Sequence, residues 1–161
     1  SAFGLARNLG IPRGQAAEYI ERFFARYPGV RQYMEGTREK ARENGYVETL
    51  WGRRLYLPNI KARNPNLRQY AERTAINAPL QGTAADLIKR AMIDLHGWLA
   101  AEAPEVRIIM QVHDELVFEG PEKRLRELRE TLSTRMCEVA ELAVPLVAEG
   151  GIGDNWNAAH E

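Results

Sequence analysis

The chain has 161 residues, 45% hydrophobic and 27% charged, which is an ordinary globular balance for one domain or for two small pieces of a larger one. No apolar run approaches the roughly 20 residues needed to span a bilayer, so a membrane-spanning helix is excluded, and no N-terminal signal pattern is present. The formal net charge is zero and the single Cys137 excludes an internal disulfide, which fits a reducing compartment.

The charges are unevenly placed. Residues 1–90 hold 16 Lys+Arg and 8 Asp+Glu, a net of +8, whereas residues 91–161 hold 6 and 14, a net of −8. A basic half can meet a polyanion, and an acidic half can hold metal or keep the chain soluble. Arg outnumbers Lys 18 to 4, and Arg suits forked contacts to phosphate. The chain opens at Ser1 without an initiator Met, the start expected of an excised piece.

In chain order, residues 12–27 read as a helix, with Pro12 in its first turn and Tyr19, Ile20, Phe23, Phe24 and Tyr27 on one face. A second helix follows Pro28-Gly29, with Val30, Tyr33, Met34, Thr37 and Ala41 facing inward, and it ends at Asn44-Gly45. Tyr46–Leu50 and Arg53–Leu57 around Trp51-Gly52 read as a hairpin with a two-residue turn. The Pro- and Asn-rich stretch 58–66 reads as a loop between two structural units. A long helix is expected from about Leu67 to Ala101, bent or loosened by Pro79 and Gly82. Arg107–Val112 and Leu116–Phe118 then flank the polar His113-Asp114-Glu115 as strand, tight turn and strand. An amphipathic helix follows from Pro121, with Leu125, Leu128, Leu132, Met136, Val139 and Ala143 at spacings of 3 and 4. Val144–Ala148 is expected to be a last strand. The class is α+β: a helical first part, then a long helix, an antiparallel hairpin, a helix and a final strand.

Three groups of residues can carry chemistry. Asp114 and Glu115 lie in a tight turn between apolar strands. A turn can bring two acids toward one cleft, where regular strand would send them to opposite faces. Hard cations such as Mg²⁺ take oxygen ligands, and few protein carboxylates suffice when substrate phosphates supply the rest. The plainer reading is a hairpin with a hydrophilic tip. Arg73, Asn77 and Gln81 are spaced i, i+4, i+8 along one helix face. They could test base-pair shape at minor-groove acceptors or form a solvated polar face. The segment Arg53–Arg73 is basic, and its Tyr56 and Tyr70 could stack on unpaired bases or sit in a core. His96 and His160 lack metal-type spacing and read as structural or surface residues. There is no Walker loop or dinucleotide fingerprint, and Gly150-Gly151-Ile152-Gly153 leads into no clear helix.

Longer stretches resemble one family. Ser1-Ala2-Phe3-Gly4-Leu5-Ala6 is similar to the segment after the nucleotide-binding helix of family-A DNA polymerases. Glu72–Asp86, with its Arg73, Asn77 and Gln81, resembles that family's long palm helix. Gln111-Val112-His113-Asp114-Glu115 resembles its carboxylate motif, and Asn155-Trp156-Asn157-Ala158-Ala159-His160 its C-terminus. The resemblance runs through all 161 residues in order. It implies that residues 1–66 belong to the fingers and 67–161 to the palm. The implied reaction is templated, two-metal-ion transfer of a deoxynucleotide to a primer 3′-OH. It further implies Mg²⁺ as cofactor, with Asp114 as metal ligand, Glu115 as a secondary acid and His113 near the primer terminus. Arg68 would contact the template strand, and Arg73, Asn77 and Gln81 the minor groove. The basic residue that the family often carries just before Arg68 is Leu67 here. Implied partners are primer–template DNA and deoxynucleoside triphosphates, in the bacterial cytoplasm or nucleoid. The family's first motif, with the other metal-binding Asp, has no counterpart in these residues. The chain alone is therefore expected to be inactive, and because the family's palm sheet takes further strands from outside these residues, an open sheet edge is expected to make it self-associate or dissolve poorly. A non-catalytic DNA-binding module on the same scaffold is the alternative.

Overall fold

A computed structural model describes residues 1–160. It divides into two compact units, Ser1–Leu80 and Gln81–Glu161.

The first unit begins with α1 (Ala2–Leu9), whose free first-turn N–H of Gly4 donates to the Ser1 hydroxyl at 3.3 Å. The sequence reading placed no element there. Next come α2 (Arg13–Arg26) and α3 (Pro28–Asn44). Pro28 supplies the fixed φ of a first helical position, and Gly45 closes α3 in the left-handed region at φ 78°. The aromatic face of α2 is less inward than its periodicity implied, because Tyr19, Phe23 and Tyr27 are about half exposed. The first hairpin pairs β1 (Tyr46–Glu48) with β2 (Arg54–Tyr56). Its turn is a correction to the two-residue expectation. The Thr49 N–H donates to the Arg53 carbonyl at 2.9 Å, closing a three-residue loop whose last member, Gly52, has φ 79°. That is the arrangement in which a three-residue connection needs glycine at the left-handed position. The core of this unit joins Ala41, Val47, Leu57, Ile60, Ala71 and Ala75.

The helix α4 spans Pro65–Glu102, 38 residues, and runs on through Pro79. A proline leaves the carbonyl four residues earlier without its helical donor. Here the neighbouring carbonyl, that of Ile76, accepts a hydrogen bond from the Tyr33 hydroxyl at 2.9 Å. The Tyr33 phenol titrates above its ordinary value because it is partly buried.

In the second unit β3 (Arg107–Val112) pairs antiparallel with β4 (Glu115–Glu119). Ile108 faces Phe118 and Met110 faces Val117, so Ile109 is an extra residue, a β-bulge. The helix α5 (Glu122–Glu138) covers this hairpin. Leu95, Leu99, Ala103, Val106, Leu128 and Leu132 form the buried cluster, and Trp98, Ile108, Leu116, Phe118, Leu125 and Met136 pack around it. Arg135 of α5 grips Asp94 of α4 with two hydrogen bonds of 2.9 and 3.0 Å and lies 5.3 Å from the Trp98 ring centre. Such a forked pair fixes geometry as well as adding energy. The periodicity that extended α5 to Ala143 overran, since the helix ends at Glu138. The expected last strand, Val144–Ala148, is a further correction. It has no ladder partner among the described residues, and Pro145 removes one of the N–H donors a strand would need. A short 3₁₀ turn, Ala158–His160, ends the described chain.

Candidate active site

The turn between β3 and β4 is made by His113 and Asp114 alone, because Glu115 already pairs with Val112 as the first residue of β4. A two-residue connection forces unusual backbone angles. His113 has φ 52°, in the left-handed region that a non-glycine residue seldom enters, and the Gln111 side-chain amide donates to its carbonyl at 3.0 Å. Strain of this kind collects where a side chain must be aimed.

The two acids differ in their surroundings. Asp114 is exposed at the corner of the turn and has no ion-pair partner among the described residues. Glu115 has both carboxylate oxygens engaged. The Trp156 indole N–H lies 3.4 Å from Oε2, and His160 Nε2 lies 3.0 Å from Oε1. The other ring nitrogen of His160, Nδ1, is 2.7 Å from the Trp156 carbonyl oxygen. Both partners of the imidazole are acceptors, so satisfying them requires two N–H groups, the protonated ring. Accordingly the His160 pKa lies above its ordinary 6.5, through the bond to the Trp156 backbone and then that to Glu115. The Glu115 pKa lies below its ordinary 4.5, mainly because of the His160 hydrogen bond. The stabilising contribution of the pair is fully present between the ordinary values of 4.5 and 6.5. It weakens as pH rises through the raised value of His160, or falls through the lowered value of Glu115. A carbon-detected NMR titration should therefore show His160 titrating above 6.5, and Glu115→Gln should move it back down. An unmoved midpoint would show that Glu115 does not hold the charge.

The other sequence candidates are distributed between the units. Arg73 and Asn77 are exposed one helical turn apart in the first unit, and Gln81 is exposed at the start of the second. Arg73 lies 6.0 Å from the Tyr70 ring centre. Arg68 is half-buried, and its guanidinium donates to the Ala62 carbonyl at 3.1 Å, which ties it to the preceding loop. Tyr56 and Tyr70 are 66% and 63% exposed, which answers the question of whether they belong to the core. His96 is exposed, in accord with its reading as a surface residue. Sequence reasoning missed Trp156 and His160. They lie at helical i, i+4 spacing, but their partner is 41 and 45 residues away.

Among the described residues no three His, Cys, Asp or Glu side chains gather into a group that could hold a metal ion. The turn offers a hard cation the free carboxylate of Asp114. That fits a divalent ion whose remaining ligands are phosphate, water or oxygens from elsewhere, and it does not make a closed site.

The family model described as DNA polymerase family A matches residues 1–158. This chain belongs to DNA polymerase family A. The family A chain is 55% identical over 160 residues to the DNA polymerase I of Pseudomonas aeruginosa, covering 99% of this chain and 18% of that protein. It is 49% identical over 156 residues to the DNA polymerase I of Geobacillus stearothermophilus, covering 97% of the chain and again 18% of the relative. The chain thus spans about a fifth of the length of these relatives. A solved structure, the polymerase domain of Pol1 from M. smegmatis in complex with DNA primer–template and dNTP, superposes on the whole chain. Its TM-score is 0.96 at 42% identity, and 28% of that structure's chain is covered. No helix among the described residues is long and apolar enough to cross a membrane.

Proposed function

We propose that this chain is the C-terminal fingers-and-palm portion of a DNA-directed DNA polymerase, residues 1–66 in the fingers and 67–161 in the palm. In the full-length enzyme it would serve templated addition of deoxynucleotides to a primer 3′-OH, in the bacterial cytoplasm or nucleoid. The observation that carries this reading is the match of the whole chain to a polymerase domain solved with primer–template and dNTP. The exposed, unpaired Asp114 agrees with it. When bound, a pair of Mg²⁺ ions supplies activation of the hydroxyl and stabilisation of the departing pyrophosphate. Asp114 is the ligand for them in this chain, and Glu115 is the secondary acid. His113 lies by the primer terminus. Arg73, Asn77 and Gln81, all exposed donors, read the minor groove of the primer–template and the nascent pair. Arg68 holds the template strand with whatever part of its guanidinium the Ala62 carbonyl leaves free.

A single free carboxylate is a poor two-metal site, so the 161 residues by themselves do not polymerise DNA. The test is primer extension with Mg²⁺ and all four deoxynucleotides, run on the folded 161-residue chain and on the full-length polymerase. Product from the full-length enzyme only, lost on Asp114→Asn, is expected. Product from the short chain that disappears with Asp114→Asn would mean that the second acid lies within these residues, and the assignment would fall.

The isolated chain should also self-associate. The strands β3 and β4 pair only with each other among the described residues, and Ile109 and Met110 are exposed at 54% and 43%. Unpaired strand edges beside apolar side chains recruit other chains. Sedimentation velocity should give a weight-average mass that rises with concentration. A monomer at all concentrations would refute the association.

A further inference from the structure

The segment from Gly150 to His160 is built around an unusually close backbone contact. A Cβ on Gly151 would run into the Ala159 carbonyl oxygen and come within 2.9 Å of its carbon. On Gly153 a Cβ would lie 2.7 Å from both the Ala158 carbonyl carbon and the Ala159 nitrogen. These obstacles are main-chain atoms, which cannot swing aside as a flexible side chain can. The 3₁₀ turn Ala158–His160 therefore rests directly on the backbone of residues 151–153. The turn is held in shape by Asn155, whose side-chain oxygen accepts from the Ala158 N–H at 3.0 Å and whose carbonyl accepts from the Ala159 N–H at 3.1 Å. Seated in this way, it presents Trp156 and His160 with their rings edge to face, 5.2 Å between centres. Each then donates to a different oxygen of Glu115.

Stability does not account for this construction. His160 and Glu115 are 48% and 44% exposed, and ion pairs in such positions contribute little to folding. What two donors on two oxygens do supply is orientation. They hold in place both oxygens of a carboxylate that stands next in sequence to Asp114 and could otherwise swing toward whatever Asp114 binds. Losing an outer partner that orients an acid at a cation site commonly costs about 10- to 100-fold in affinity or activity.

We propose that Gly151–His160 is a clasp that fixes the Glu115 carboxylate, with Trp156 and His160 as positioning residues that keep it apart from Asp114 and in one orientation. The clasp rests on the reading of Asp114 as the cation-holding acid, and its test has two arms.

In the first arm, nitrogen–proton NMR of the 161-residue chain follows the indole N–H of Trp156, with Trp98 as an internal control. Glu115→Gln and Gly151→Val should each shift the Trp156 signal and leave that of Trp98 in place. An unmoved Trp156 signal in Glu115→Gln overturns the clasp. In the second arm, primer extension by the full-length polymerase is compared for His160→Ala, His160→Gln and Asp114→Asn. His160→Ala should lower kcat by about 10- to 100-fold, the usual effect of losing a hydrogen bond that orients an acid at a cation site, with the KM for dNTP nearly unchanged. His160→Gln keeps one N–H donor and should recover much of the rate. Should His160→Ala fail to fold, Trp156→Phe removes one donor with little change in shape and is read in the same way. Normal kcat in His160→Ala beside a dead Asp114→Asn overturns the positioning role alone. An active Asp114→Asn overturns the polymerase reading and the clasp's purpose with it.

Discussion

Asp114→Asn is expected to lower the kcat/KM of the full-length polymerase by at least about 100- to 1,000-fold. A metal ion's stabilisation of transition-state charge amounts to several kcal/mol, and each 1.36 kcal/mol is a factor of about ten. The substitution keeps size and shape. It replaces one anionic oxygen with an NH₂ group that offers a hard cation no lone pair. Because Asp114 is exposed and has no ion-pair partner among the described residues, the fold should not notice. Circular dichroism and the thermal midpoint should match wild type within error, and this separates a lost ligand from a lost structure. Glu115→Gln should cost less, since the position is already turned toward Trp156 and His160. If Asp114→Asn extended primers at the wild-type rate, the acid at the turn would have no part in the chemistry.

The second large effect falls on stability. Leu95→Ala should destabilise the second unit by about 2–5 kcal/mol, the range for truncating a buried leucine, where lost transfer energy and the cavity add together. Leu95 is 0% exposed and is the largest fully buried side chain among the described residues, enclosed by Leu99, Ala103, Val106, Leu128 and Leu132. Urea unfolding followed by tryptophan fluorescence is the measurement, because Trp98 packs against the same cluster. With urea slopes of about 1–3 kcal/mol/M for small proteins, the midpoint should drop by about 1–2 M. Ile93 sits two residues away on the same helix at 69% exposure, and Ile93→Ala should stay within about 0.5 kcal/mol of wild type. Equal shifts for the two variants would mean that the core is not where the packing places it.

The sequence made some of this plain and hid the rest, for physical reasons. The run of Leu125, Leu128, Leu132 and Met136 announces α5, and two short apolar runs on either side of the polar His113-Asp114 announce the hairpin, because helical period and a polar break between apolar runs are local properties. Local period says less about which residues a chain buries. Tyr19 and Phe23 lie on one stripe of α2 and Tyr27 at its C-terminal cap, yet all three are half exposed, since the stripe fixes a direction and not a partner. Val144–Ala148 has strand-forming residues and no strand, because pairing needs a second chain segment and propensity alone supplies none. In the site, the acids were legible as a pattern. The capture of Glu115 by Trp156 and His160 was not, since it joins residues more than forty positions apart. The glycines that permit it look, in sequence, like any flexible tail.

The bulge at Ile109 has a consequence that is best seen by counting. Before it, paired positions sum to 226, as in Arg107 with Glu119 and Ile108 with Phe118; after it they sum to 227, as in Met110 with Val117 and Val112 with Glu115. An even sum continued to the tip would pair residue 112 with residue 114 and leave one residue to reverse the chain, fewer than the two that the tightest common hairpin loops use. The odd sum leaves two, His113 and Asp114. One surplus residue on the opposite arm thus converts Asp114 from a rung of the ladder into its corner. The address of the acid proposed to hold the cation is set by the parity of a strand that does not contain it.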